Sequence, residues 1–481
     1  MPEFSRQRRL LILAICCLSL FIVGLDSTIV NVALPSIGRE LHASVSGLQW
    51  TIDAYTLVLA SLLMLSGSTA DRVGRRRTFQ AGLAVFTAGS LLCSLAPSLG
   101  WLVAFRMVQA VGGSMLNPVA MSIITNTFTD QRERARAIGV WGAVFGLSMA
   151  LGPVAGGALV DSVGWRGIFW VNIPVGIAAI VLCALFVPES KADRPRRPDP
   201  VGQVLLIVLL ASLTYAIIEG PSKGWGSPLI AGLFGLATVA LAVFVPYELR
   251  RTEPLLNPRF FGSAPFAGAT VIAVIAFAAL GGFLFLNTLY LQDVRGFSAL
   301  TAGLYLLPMA ATLAACAVLS GRLVAARGAR IPLVVSGLGF IAAGILLSMI
   351  TNHSGPGFLL LSYVIFGIGI GLVNAPITNS AVSGMPRQQA GVAAGVASTS
   401  RQVGTSLGVA VMGSVLSGNL HGGMRAGFVD ASRPGWFIVA ACGAVTLILA
   451  LVTTGPWALR TATRTAERLS PADERSPVSV P

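Results

Sequence analysis

Charge is what this sequence lacks most. Only 11% of its 481 residues are Asp, Glu, Lys or Arg, while 54% are hydrophobic and the mean hydropathy is +0.79. An ordinary soluble domain is about 25% charged, so most of this surface has to face lipid. That excludes a sizeable extramembrane catalytic domain. Histidine is scarce too: His42, His353 and His421 complete the set, and each falls in an expected loop on the outer side. No imidazole is therefore available at membrane depth, and neither a metal cluster nor a nucleophile–base pair is evident there. An intramembrane enzyme is disfavoured and no cofactor is expected. Lysine occurs only as Lys191 and Lys223. The six cysteines, Cys16, Cys17, Cys93, Cys183, Cys316 and Cys442, sit in apolar runs without metal-ligand spacing. They read as small hydrophobes rather than a disulfide framework.

What the chain has instead is long apolar runs. Candidate spans cover 10–34, 47–69, 78–97, 100–123, 136–160, 167–187, 201–219, 227–247, 265–289, 299–320, 331–350, 357–380, 390–417 and 435–457. About 20 residues cross the hydrocarbon as a helix. Barrel strands would alternate in polarity, and these runs do not. The expectation is an all-α integral membrane bundle of fourteen helices. The basic segment 1–9 before the first run resembles a signal peptide, but the run lacks a small-residue cleavage site and reads as an uncleaved first helix.

An even helix count puts both termini on one side. With that side cytoplasmic, 25 of the 33 basic residues fall there; Arg39, Arg166, Lys223, Arg295, Arg425 and Arg433 fall outside, and Arg106 and Arg401 within spans. The net charge of +14 is thus chiefly a positive-inside signal, not a nucleic-acid surface. It also suits contact with anionic lipid.

One loop pattern occurs twice: Gly67 to Arg77 after the second span, with Asp71 and Gly74, and Gly321 to Arg330 after the tenth, where Ala325 replaces the acid. Two pseudo-equivalent halves suit alternating access around a midplane site. The expected domains are a six-helix bundle over 1–190, a linker plus two inserted helices over 191–260, a second six-helix bundle over 261–460, and a disordered cytoplasmic tail over 461–481.

Ionisable residues inside spans are costly and are functional candidates by default. Asp26, Asp53 and Arg106 lie ~10 Å below the outer surface at 1.5 Å per helical residue, and Arg401 lies near mid-depth. Burial penalises a carboxylate's charge and a nearby arginine supports it, so Asp26, Asp53 and Arg106 form a candidate proton-coupling set. A fixed salt bridge is the alternative reading.

The motifs carry a resemblance. Gly67 to Arg77 resembles the loop between the second and third helices of the major facilitator superfamily. Arg106-Met-Val-Gln109-Ala-Val-Gly112-Gly113 resembles the fourth-helix motif of its drug antiporters. Gly146 through Gly152-Pro153-Val-Ala-Gly156-Gly157 is similar to the fifth-helix antiporter motif. Leu25-Asp26 through Asn31 to Pro35, and Trp165-Arg166 through Asn172 to Pro174, fit the fourteen-helix drug:proton antiporter branch. Actinomycete antibiotic-resistance exporters of the methylenomycin and puromycin type are the nearest resemblance within it. Thr69 and Ala110 depart mildly from the motifs.

The resemblance implies a multi-pass protein of the bacterial cytoplasmic membrane that works as one chain. It would export hydrophobic or cationic drugs against protons. An exporter of an amino acid or other metabolite, or a non-transporting sensor, remains the alternative. A cytoplasmic latch would comprise Asp71, Arg72, Gly74, Arg75 and Arg76, with Asp71 meeting a helix end of the other half. Gly146, Gly152, Pro153, Gly156 and Gly157 would seal against leak. Asn31, Gln109, Asn117, Phe283, Asn287, Asn374 and Arg401 would line the substrate cavity. Other small-xxx-small pairs, Gly367/Gly371, Gly391/Gly395 and Gly404/Gly408, are weak signals in a chain with 54 glycines.

Overall fold

The computed structural model describes residues 5–192, 197–383, 385 and 389–469, and among these no strand is present. The helices are α1 Arg6–Leu41, α2 Val45–Val73, α3 Arg75–Ser94, α4 Leu99–Thr127, α5 Gln131–Val163, α6 Gly167–Trp170, α7 Asn172–Phe186, α8 Pro200–Lys223, α9 Pro228–Arg250 and α10 Ala264–Leu289. There follow α11 Ala299–Tyr305, α12 Leu307–Arg327, α13 Arg330–Ser348, α14 Pro356–Val382, α15 Ala390–Asn419, α16 Met424–Thr453 and α17 Pro456–Leu469. Their boundaries obey local chemistry. Ser44, Asp130, Asp199, Ser227 and Ser298 cap helix N-termini through their side chains, satisfying donors that the first turn leaves free. Pro200 and Pro228 open α8 and α9, where a missing N–H costs nothing.

Among the described residues, twelve helical segments are long and apolar enough to cross a membrane; α3 and α15 are not among them. Both are nonetheless full-length helices on the expected positions, 20 and 30 residues long. Their apolarity is diluted by glycine, serine and threonine, which suits helices packed closely on neighbours. Two expected spans carry a one-residue irregularity, at Val171 between α6 and α7 and at Leu306 between α11 and α12, where the backbone nonetheless stays in the helical region. The expected tail is corrected in part. Residues 456–469 form α17, which buries Ala458, Ala462 and Thr465 and points Arg460, Arg464 and Arg468 outward. Small residues on one stripe and arginines on the other make it amphipathic. Residues 470–481 of that expectation, and 193–196 of the expected linker, lie outside the described residues.

Packing groups the helices. On one side α1 packs on α4, α5 and α7, α2 on α4, and α3 on α4 and α7; on the other α10 packs on α14, α15 and α16, α12 on α14, and α13 on α14 and α16. The groups meet where α2 lies along α15, where α5 meets α11 and α12, and where α1 meets α10. α8 lies across the first of these junctions. Trp50 Nε1 donates to Glu219 Oε1 at 3.0 Å, Gln203 Nε2 donates to the Ser61 carbonyl at 2.5 Å, and Ser414 donates to the Ile217 carbonyl. α9 stands outside α8, with Leu236, Val239 and Leu241 exposed, an apolar face that suits lipid.

Two of the small-residue pairs are true contacts. A Cβ on Gly404 or Gly408 would collide with the Val274 or Ala278 carbonyl of α10, and one on Gly367 or Gly371 with backbone of α12. Gly395 has open space beside it. Gly408→Val is expected to cost about 1–3 kcal/mol or more through overpacking, whereas Gly395→Ala is expected to be neutral. The thermal unfolding midpoint of the purified protein measures both.

Candidate functional site

Asp26 sits at the centre of a buried polar network. Arg106 Nη1 donates to Asp26 Oδ2 at 2.6 Å and to Gln109 Oε1 at 2.8 Å. Gln109 Nε2 and Asn172 Nδ2 both donate to Asp26 Oδ1, at 2.9 and 3.2 Å. Asn172 also donates to Ser90 Oγ at 3.1 Å, and Ser90 donates to the Phe169 carbonyl at 2.9 Å. Arg106 Nε donates to the Thr51 carbonyl at 3.3 Å, and the guanidinium lies 4.1 Å from the centre of the Tyr55 ring. Five helices thus converge: α1 supplies Asp26, α2 Thr51 and Tyr55, α3 Ser90, α4 Arg106 and Gln109, and α7 Asn172. None of these side chains is more than 1% exposed. The spacing explains the pairing on α4, since Arg106 and Gln109 are three residues apart and share a face.

A buried ion pair persists only if each charge compensates the other and the leftover lone pairs are filled. Gln109 and Asn172 fill them here. Gln109, expected in the substrate cavity, instead belongs to this network. Asn172 and Tyr55 received no role from the sequence, although Asn172 stands in a quoted motif. Only the folded arrangement of α3, α4 and α7 brings it to Asp26.

Asp53 is elsewhere. It lies on the α15 side of α2, near Ser406 and Thr56, fully buried, with both carboxylate oxygens lacking a hydrogen-bond partner. It is therefore not part of the Asp26–Arg106 pair, contrary to the reading of three residues as one set. The two are linked through α2, because Thr51 and Tyr55, which hold Arg106, flank Asp53 on that helix.

The remaining candidates divide. Phe283 is fully buried, stacked on Phe366 with centroids 4.2 Å apart, and Asn287 accepts from Tyr363. They are core of the second group, where apolar neighbours leave no opening. Asn31 is buried and donates to the Ser27 carbonyl of its own helix at 3.2 Å. Asn117 is partly buried, with its Oδ1 unpartnered. Asn374 is exposed on α14, and Arg401 is partly buried on α15.

The expected latch stays within the first group. Arg75 Nη2 donates to Asp71 Oδ1 at 2.8 Å, one turn away. Glu189 accepts from the backbone N–H groups of Arg76 at 3.1 Å and Arg77 at 3.3 Å. It thereby caps α3, whose own N-cap Gly74, at φ +126°, has no side chain to offer. Arg72 is exposed. Among the described residues, no hydrogen bond or ion pair joins Asp71 to a helix of the other group. Glu189 was missed because a cap supplied from 112 residues away leaves no local signature.

The opposite end is closed between the groups. Asp161 Oδ1 and Oδ2 accept from the N–H groups of Ala299 at 3.1 Å and Leu300 at 2.9 Å. Gln292 Nε2, in a π turn at Tyr290–Val294, donates to the Val32 carbonyl at 2.8 Å. Gln49 Nε2 donates to the Ala410 carbonyl at 2.7 Å. Of the antiporter-motif glycines, Gly152 and Gly156 press on α1 within the first group, and Gly157 presses across on the Ala299–Leu300 backbone, while Gly303 presses on Pro153. Gly146 has open space beside it.

Asp26→Asn leaves Arg106 buried without a counter-charge and is expected to cost about 3–5 kcal/mol. The double variant Asp26→Asn/Arg106→Gln is expected to recover part of that loss. Denaturant unfolding of the two variants against wild type checks the difference.

Comparison with known proteins agrees with this architecture. The profile of the Major Facilitator Superfamily matches residues 16–409. The chain is 38% identical over 411 residues to the multidrug resistance protein Stp of Mycobacterium tuberculosis, covering 85% of this chain and 76% of that one. It is 37% identical over 414 residues to the tetracenomycin C resistance and export protein of Streptomyces glaucescens, covering 86% and 77%. Its fold is similar to a bacterial homolog of the human lysosomal transporter Spinster in an inward-facing, occupied conformation, with a TM-score of 0.67 and 18% identity over 98% of this chain and 100% of that chain. With its apolar helices and bacterial relatives, it is a multi-pass protein of the bacterial cytoplasmic membrane. The chain belongs to the Major Facilitator Superfamily.

Proposed function

We propose that the chain is a proton-driven antiporter that exports small hydrophobic, drug-like molecules by alternating access. The names of its relatives, a multidrug resistance protein and a resistance and export protein, point the same way. In this reading the protein has fourteen spans, α3 and α15 included, with both termini cytoplasmic. Residues 1–190 and 261–460 move as two halves, and the helices between them form an insertion at the α2–α15 seam. The conformation described is then closed to the outside, by Asp161, Gln292 and Gln49. The Asp71 latch on the cytoplasmic side is disengaged, held by Arg75.

The observation that carries the reading is Asp53. A buried carboxylate without a partner is far costlier than a neutral acid, and this one lies in the seam that must part for the outside to open. Parting of α2 from α15 would wet Asp53 and let it take a proton from outside; closure would bury it protonated. The same motion of α2 would shift the Thr51 carbonyl and Tyr55 ring against Arg106. Asp26 and Arg106 would in this way answer to the state of the seam. Gly157 and Gly303 would keep the outer junction dry by allowing backbone to meet backbone.

Inside-out vesicles with an acid lumen test this. A hydrophobic drug added to wild type is expected to drive protons out of the lumen. Asp53→Asn is expected to abolish that release while the protein still reaches the membrane. Full release from Asp53→Asn removes Asp53 as the carrier, and with Asp26→Asn also active it removes proton antiport at these sites.

Asp161→Ala removes the cross-seam cap of α11. Losing a cap costs about 1 kcal/mol, roughly a fivefold shift in an equilibrium, here toward the outward-open form. A membrane-impermeant thiol reagent should label Gln292→Cys faster by that factor, in a background lacking the native cysteines. An unchanged rate would show that Asp161 does not hold the outer seam.

A further inference from the structure

The charges at mid-depth leave one cation over. Arg106 and Asp26 compensate each other, and Asp53 is sealed in the α2–α15 seam. Arg401 has no acidic partner among the described residues. Its Nη2 donates to Thr378 Oγ1 at 2.6 Å, its Nε is buried without a partner, and its Cζ lies 5.9 Å from the Phe277 ring centre. Thr378 is exposed on α14, and so is Asn374 one turn away, whose carbonyl accepts from Thr378 at 3.3 Å.

An apolar slot lies next along α10. It is formed between the two groups by Met149 and Pro153 of α5, Leu280 and Leu284 of α10, and Met309 and Leu313 of α12. Phe277, Leu280 and Leu284 are three and four residues apart, so they share one face of α10. The step from Phe277 to Leu284 rises ~10 Å. Arg401 therefore stands at one end of an apolar face of α10 ~10 Å long; the slot beside that face is about 20 Å³, room for about one water, and would have to widen, by parting of α5 and α12 from α10, to take a substrate.

We propose that Arg401 is the head-group site for a hydrophobic anion: the apolar body of the substrate lies along the Phe277–Leu280–Leu284 track and its oxyanion pairs with the Arg401 guanidinium. This rests on the exporter reading and narrows it. An unpaired guanidinium away from bulk water is costly, and an anion that enters recovers that cost. A cation meets repulsion from Arg401, so this site selects against it. Thr378 takes one Nη2 N–H of the guanidinium, and a carboxylate, sulfonate or enolate that enters from the exposed Thr378–Asn374 side meets a planar fork that can grip it with two bonds.

Naphthalene-2-sulfonate and 2-naphthyltrimethylammonium, hydrophobic ions of similar shape and opposite charge of which the first carries an oxyanion, test the site. Their binding to the full chain in nanodiscs is measured by equilibrium dialysis, with empty nanodiscs subtracted. Wild type is expected to favour the sulfonate by about tenfold or more, the scale of one charge-assisted hydrogen bond. Arg401→Gln is expected to erase that preference and Arg401→Lys to keep most of it. Thr378→Asp places a carboxylate against Arg401 at an exposed position and is expected to erase it as well, which keeps the test decisive if Arg401→Gln does not fold. Equal binding of the two ions by wild type overturns the proposal, as does a preference that survives Thr378→Asp. Either result leaves the exporter reading untouched, because that reading is decided by proton release with an uncharged drug in wild type and Asp53→Asn.

Discussion

A guanidinium and a carboxylate stay charged in the core of a lipid-embedded bundle at far lower cost when each answers the other, and the first group of helices is arranged around one such pair. Arg106 and Asp26 are joined at 2.6 Å, and Gln109 and Asn172 fill the remaining positions on the carboxylate. The geometry needs five helices at once, since the ligands come from α1, α2, α3, α4 and α7. The network thus fixes how those helices pack, in addition to whatever part it takes in transport. Its tie to α2, through the Thr51 carbonyl and the Tyr55 ring, makes it sensitive to the one helix that also carries Asp53.

The contacts between the two helix groups are of another kind. They are backbone-to-backbone approaches at glycine, such as Gly157 on Ala299, and single side chains that reach across to backbone groups, such as Asp161, Gln292 and Gln49. Each is modest alone, and water can replace it when the junction opens. A junction built from large interlocking side chains would resist parting. This one has the chemistry of a seam that opens and closes, while the core of the second group, with Phe283 stacked on Phe366 and edge-on to Trp436, has the chemistry of a body that does not. Helix α8 bonds to α2 through Glu219 and Gln203 and to α15 through Ser414, so it bears on the same seam from outside.

Apolar run length, turn residues and loop charge were enough to place the helices, because a span in lipid must satisfy its backbone internally and cannot be much shorter than the bilayer. The costly residues Asp26, Asp53, Arg106 and Arg401 stood out for the same reason. The sequence by itself therefore determined the helical membrane architecture, the residues worth examining and, by resemblance, the family. It could not assign partners. That Asp26 takes Arg106 while Asp53 takes none, that Gln109 serves the ion pair and Phe283 the core, and that Glu189 caps α3 all depend on which faces meet across tens to hundreds of residues. Depth along a helix is a linear property that the chain encodes locally. Which side of the helix meets which neighbour is decided only when all the helices pack, and tertiary structure alone left Arg401 without an acidic partner among the described residues.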